Sequence, residues 1–231
     1  MTTLLVEEKE IVVPGQIIAE GLDYLPGEDV LREGDHLIST KVGMVTLQGR
    51  FVKVVALNGP YVPKRGDIVI GKVVGVGLSG WRLDIGWPFE ANLSLKEATS
   101  DFVEKGTDLS KYFDYGDYIL CQIVNVASVK IIDLSIRGPG LRKLGLGRIL
   151  SLPSPKVPRL IGKQGSMITM VKDATNCKIS IGQNGTVWLS GEDPKLEMLA
   201  VKALKKIEAE SHTSGLTDRM KEFLEREKNG L

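Results

Sequence analysis

The 231-residue sequence predicts a mainly β protein with an α+β C-terminal part. Two observations carry this. As far as residue 137 the apolar side chains recur at every second position, in short runs broken by Gly, Pro, Asn and Asp. Past Gly147 the period lengthens to about 3.6, the repeat of an amphipathic helix. A hydrophobic content of 42% is enough to fill several small cores.

The elements follow in chain order. Residues 11–15, 36–40 and 51–57 are β-type runs separated by turns, one at Pro26 and Gly27 and one at Asn58, Gly59 and Pro60. Short strands at this spacing predict a small β barrel or sandwich over residues 1–60. Residues 67–76 and 81–85 read as one antiparallel pair, and residues 118–126 and 130–136 as another. A polar, partly helical stretch from Asn92 to Tyr112 lies between the pairs. Four to five strands with one such insertion outline a five-stranded OB-fold barrel over residues 61–147. Residues 148–152 form a further strand. Residues 166–176 form a helix with Met167, Ile168, Val171 and Ala174 on one face. Two alternating strands over 178–191 reverse near Asn184 and Gly185, a favoured hairpin pair. Asp193 then caps, and Pro194 opens, a helix striped by Leu196, Leu199, Ala200, Ala203, Leu204 and Ile207. The third domain, residues 148–231, thus reads strand, helix, helix, strand, strand, helix, followed by a charged helical tail over 218–228.

Charge is segregated behind a net of +1. From Leu134 to Lys172 the chain carries Arg137, Arg142, Lys143, Arg148, Lys156, Arg159, Lys163 and Lys172 without one Asp or Glu, whereas the flanking segments are mildly acidic. Such clustering is an electrostatic footprint for a phosphate-bearing partner, and it predicts an uncompensated basic belt. Two cysteines, Cys121 and Cys177, with no CxxC, exclude a disulfide framework or zinc ribbon built within the chain and point to a reducing, cytoplasmic compartment. Acids at the N-terminus and the lack of an apolar run of about 18 residues predict neither signal peptide nor membrane helix.

The sharpest local signal is VPRLIGKQGSMI at 157–168. Gly162, Lys163, Gln164 and Gly165 make a GxxG loop between two helices. Glycines let the backbone turn tightly and keep side chains from between loop and sugar-phosphate chain. The amides opening the next helix then face phosphates, and Lys163 adds a charge. With the two strands and capped helix that follow, this segment resembles the KH domain of single-stranded RNA-binding proteins, type I in order (β-α-α-β-β-α). The resemblance implies a loop that clamps about four nucleotides. Arg159 stands beside it.

Residues 64–137, with KRGDIVIGKVVGV, GWRLDIG, YGDYILCQIVNV and LSIR, resemble the RNA-binding OB domain repeated in ribosomal protein S-one. Such barrels stack bases on exposed aromatics and track the backbone with cations. Trp81 falls where that family has its second-strand aromatic, so it reads as an RNA contact or equally as a barrel-core residue, and Lys72, Arg82, Arg137, Arg142 and Lys143 are the candidate cations in and beside the barrel. Leu78 or Ser79 stands where an earlier aromatic is usual, and Asn92 where many members have His. Trp87 and Phe89, flanking Pro88, read as loop platforms or as packing residues, with packing preferred. VVPGQIIAEG near the start, followed by YVPKRGDIVIGKV at 61–73, resembles the RNA-binding cap subunits of the exosome, and the intact GKQG loop fits the KH-bearing kind. The step PGEDVLREGD at 26–35 departs from that family's usual Gly-Thr-aromatic step. The resemblance implies a non-catalytic subunit without cofactor or metal. Its partners would be single-stranded RNA, a hexameric ring of RNase PH-like subunits, and other copies of itself or a second cap subunit in a trimeric cap. The N-terminal domain would dock on the ring, and adenine-rich 3′ ends would be preferred. A stand-alone transcription or translation factor built from OB and KH modules is the alternative.

Two enzyme-like patterns are set aside on physical grounds. GVGLSG at 75–80 fits GxGxxG, but the residues after it alternate as a strand, not the helix a dinucleotide site requires. GDIVIGKV at 66–73 lacks the hydroxyl that would hold magnesium. His36 and His212 belong to no catalytic pattern, and Asp114 with Asp117 reads as a strand-entry turn.

Overall fold

The computed structural model describes residues 3–99, 104, 106–211, 213 and 215–229. The chain divides after Gly59 into two compact units. The first is built from β1 (Thr3–Leu4), β2 (Ile11–Val12), β3 (Ile17–Glu20), β4 (Leu25–Pro26), β5 (Val30–Glu33), β6 (His36–Ser39), β7 (Gly43–Gln48) and β8 (Phe51–Ala56). They form two four-stranded sheets, β1-β3-β6-β5 and β2-β7-β8-β4. Val12, Ile18, Leu37, Val45 and Val52 fill the core of this sandwich. Alternation decides which side chains reach it: Val45 opposite Val54 and Leu47 opposite Val52 point inward, so Met44 opposite Val55 and Gln48 opposite Phe51 point outward. The divergent step at 26–35 holds Asp29 at φ 57 and then forms the β5–β6 hairpin.

The second unit begins with a barrel of β9 (Ile68–Val76), β10 (Gly80–Asp84), β11 (Ala91–Ser94), β12 (Tyr118–Ser128) and β13 (Ile131–Ser135). Antiparallel pairs join β9 to β10, β10 to β11 and β13 to β12; β11 runs parallel to β13, and β12 returns to β9. The ring closes and removes sheet edges over most of its circumference. β11 corrects the expectation of a polar, partly helical stretch from Asn92, because Ala91 and Leu93 point into the core while Asn92 and Ser94 are exposed. Four residues of such mixed character carry too little signal to stand out from a loop, and the parallel pairing that holds them is non-local. α1 (Leu95–Ala98) follows, and β14 (Arg142–Leu144) extends the sheet beyond β12.

The rest of this unit comprises β15 (Arg148–Ser151), α2 (Val157–Ile161), α3 (Ser166–Thr175), β16 (Lys178–Ile181), β17 (Thr186–Ser190), α4 (Pro194–Ala209) and α5 (Leu216–Asn229). The strands form an antiparallel sheet in the order β15-β17-β16. The Asp193 carboxylate accepts the Lys195 amide at 2.8 Å, so α4 starts where its cap and proline placed it. The helical tail does more than carry charge. Leu216, Met220 and Leu224, spaced four apart, are buried in the same core as Leu160, Val171 and Leu204. Burying each such side chain stabilises by about 1.5–3 kcal/mol. Among the described residues no helix is long and apolar enough to cross a membrane.

Barrel and α/β domain are joined through the β16–β17 turn. The first residues of β9 precede its pairing with β10, which leaves their backbone groups open on that side. The turn fills the gap. Gln183 donates its amide to the Ile68 carbonyl at 2.8 Å, and its side-chain oxygen accepts the Ile68 amide at 2.6 Å. The Asn184 carboxamide oxygen accepts the Ile70 amide at 3.3 Å, and its nitrogen donates to the carbonyls of Ile70 and Ile85, both at 2.9 Å. Gly182 and Gly185 are required for this approach: a Cβ on Gly182 would lie 2.7 Å from the Ile70 nitrogen, and one on Gly185 2.0 Å from the Leu152 carbonyl oxygen. Ile70, Leu144 and Trp188 pack beside the turn, with the indole nitrogen donating to Gly145 at 3.0 Å.

Candidate nucleic-acid interface

α2 ends at Gly162, whose φ of 75° is open to glycine but strained for other residues. A side chain there would also press within 2.8 Å of the Met167 nitrogen. Gln164 and Gly165 follow with φ of 53° and 79°, and Lys163 and Gln164 project into solvent. Three left-handed residues in four fold the loop back on itself and deliver the chain into α3. The N-cap of α3 is Gly165, which has no side chain to cap the first turn, so the positive end of the helix stays open to an anion. Leu160 and Met167 bury the flanks, which fixes the exposed loop on a packed base. Arg159, exposed on α2, completes the set of Arg159, Gly162, Lys163, Gln164 and Gly165 that the sequence assembles.

The basic belt is only partly as expected. Lys143 pairs with Asp117 at 2.5 Å, Arg148 with Glu197 at 2.9 Å and Lys156 with Glu208 at 3.9 Å. These carboxylates come from other segments, so a count along the chain does not reveal them. Arg142, Arg159, Lys163 and Lys172 form no ion pair among the described residues, which concentrates the uncompensated charge around the loop and β14.

The barrel cations separate likewise. Lys72 is exposed on β9; Arg82 pairs with Glu90 at 3.2 Å; Arg137 donates to the Thr99 carbonyl at 3.1 Å. Trp81 is a correction. It is 2% exposed, donates its indole N–H to the Phe113 carbonyl at 2.9 Å, and meets the Phe113 ring edge-on at 5.0 Å between centroids. Strand parity explains it, since Trp81 and Leu83 share the inward face of β10 and Arg82 lies on the outward one. The outward row across β10, β11 and β13 is Arg82, Asn92 and Asp133, with Asp133 accepting from Asn125 at 3.0 Å. This row is polar and carries no aromatic ring.

The other expectations resolve simply. Residues 75–80 are the β9–β10 hairpin and residues 68–76 are strand β9, so neither is a nucleotide loop. Asp117 accepts the Asp114 amide at 2.7 Å in the turn before β12. His36 faces Glu20 across β3 and β6; His212 lies outside the described residues. Asn184 is the residue that sequence reasoning assigned only to a turn.

The Arg148 guanidinium and then the Gly191 amide hold the Glu197 carboxyl below its ordinary range. A group with a lowered folded-state pKa adds stability above its unfolded value and loses it as pH falls through the folded value. Glu197→Gln should therefore melt below wild type at neutral pH, and the gap should close as the solution is acidified past the carboxylate range. Thermal melts at a series of pH values test this; a gap independent of pH would show that the pair adds nothing.

A closed five-stranded barrel locked to a βααββα domain with an exposed GKQG loop defines an S1–KH module pair. Comparison with known proteins agrees: residues 60–125 match the family described as RRP4, S1 domain, and residues 148–212 match the KH domain family. The chain is 43% identical over 227 residues to the exosome complex component Rrp4 of Pyrococcus furiosus, covering 97% of this chain and 86% of that one. It is 44% identical to the protein of that name from Thermococcus kodakarensis, covering 97% and 88%. A crystal structure assigned as an exosome complex RNA-binding protein superimposes with a TM-score of 0.67 at 35% identity, over 74% of this chain and 98% of that one. The chain belongs to the Rrp4 family of exosome complex components.

Proposed function

We propose that this protein is a non-catalytic, cytoplasmic RNA-binding subunit of an exosome. It would cap a hexameric ring of phosphorolytic RNase PH-like subunits as part of a trimeric cap, and feed single-stranded, adenine-rich 3′ ends to it. The carrying observation is the GKQG loop, open to solvent at an uncapped helix start, with Arg159 and Lys163 in no ion pair among the described residues. Locking this domain to the barrel places two RNA-binding modules on one rigid unit, which raises effective affinity without a strong single contact. The names of the relatives support the assembly.

The N-terminal sandwich supports docking on the ring. Ile11, Met44 and Val55 form one outward row, and Leu25 and Phe51 another, with Ile11 60% and Phe51 47% exposed. A sheet face with two such apolar rows on either side of Thr46 and Lys53 suits a protein partner. With phosphate and magnesium the isolated protein should leave RNA intact, and adding it to the ring should speed decay. Phe51→Asp with Val55→Asp should abolish both co-purification with the ring and the stimulation while sparing RNA affinity. No stimulation by wild type would sink the cap reading in favour of a stand-alone factor.

A further inference from the structure

We propose that Trp87 and Phe89, with Lys130 over the Phe89 ring, form the barrel's base-stacking platform for single-stranded RNA. This rests on the RNA-binding reading above and moves the stacking site from Trp81 to the barrel's end. Both rings lie in the β10–β11 connection and are half-buried. One side of Trp87 packs on the barrel core. Its indole N–H donates to the Val129 carbonyl at 2.8 Å, which pins the ring to the β12–β13 hairpin. The Lys130 ammonium stands over the Phe89 ring, 5.5 Å from its centroid. Val129 and Ile131 flank it, 62% and 48% exposed.

The chemistry matches one class of ligand. Every base has a π-face, so a pinned aromatic accepts any base at little ordering cost. A lysine above the neighbouring ring can swing to the phosphate of the stacked nucleotide, vacating that ring for a second base. Of the three tryptophans, Trp81 and Trp188 are 2% and 6% exposed, so Trp87 alone offers a half-open ring. Glu90, next to Phe89, pairs with Arg82, which leaves Lys130 to meet the phosphate while the rings hold bases.

Titrating the full-length protein with oligoadenylate should quench tryptophan fluorescence, and Trp87→Leu should remove the quench. Trp87→Leu and Phe89→Leu should each weaken binding by roughly five- to a hundredfold, nearly independently of salt. Lys130→Glu, which touches no core residue, should weaken it as well and covers the case in which an aromatic variant misfolds. No quench in wild type, or wild-type affinity in these variants alongside weakened binding in Lys163→Asp, would overturn the platform and leave the RNA reading standing. Wild-type affinity in Trp87→Leu together with lost co-purification with the ring would reassign the patch to a protein contact and also overturn it. Absence of any binding by wild type would overturn both readings.

Discussion

Replacing Lys163 and Gln164 together with Asp is expected to lower the affinity for single-stranded RNA by at least about tenfold at low salt, and to flatten its dependence on salt by about one phosphate contact. The change removes one cation and adds two anions where a phosphate would sit over the open start of α3. The fold should survive. Both side chains are exposed, and Gln164 already occupies left-handed backbone, which Asp tolerates at least as well. Circular dichroism checks the fold, and fluorescence anisotropy at two salt concentrations checks the rest. Unchanged affinity would mean that the two glycines serve only the packing of α2 against α3.

Asn184→Ala carries the largest expected cost to stability. The substitution deletes three donated hydrogen bonds, to the Ile70 and Ile85 carbonyls and the Thr186 hydroxyl, and one accepted one, and it strands the Ile70 amide and the Ile70 and Ile85 carbonyls against the turn. At about 1 kcal/mol for each bond, more where a partner stays dry, the loss is about 2–4 kcal/mol. For a unit of this size the melting temperature should drop by about 5–15 °C. Asn184→Asp would keep the acceptor and lose the donor, so it should fall between wild type and Ala. Calorimetry reads both variants. An unchanged transition would show that the Ile70, Leu144 and Trp188 cluster holds the domains together without the turn.

The KH part was legible almost residue by residue, because its signals are local. Asp193 and Pro194 start α4, and Gly162 and Gly165 delimit a loop whose positive φ angles suit glycine. The barrel was legible in its hairpins and lost at β11, a four-residue strand of mixed character that pairs with β10 on one side and with a parallel partner about forty positions away on the other. Trp81 shows the limit for sites. An aromatic on a strand announces a ring, and only the register decides whether that ring faces core or solvent, since one residue's shift exchanges the two faces.

By itself the sequence determined the module order, the GKQG loop with its lysine, and the segregation of base-rich from acid-rich stretches. All are properties of neighbouring residues, and covalent continuity fixes them before the chain folds. The tertiary structure decided which of those charges survive. It brought Asp117, Glu197 and Glu208 onto Lys143, Arg148 and Lys156, and left Arg142, Arg159, Lys163 and Lys172 without an ion pair among the described residues. It also turned Trp81 inward and set Asn184 against β9. Ion pairs, burial and inter-domain hydrogen bonds act across a few ångströms of space whatever the separation along the chain, so only the folded chain brings them into range.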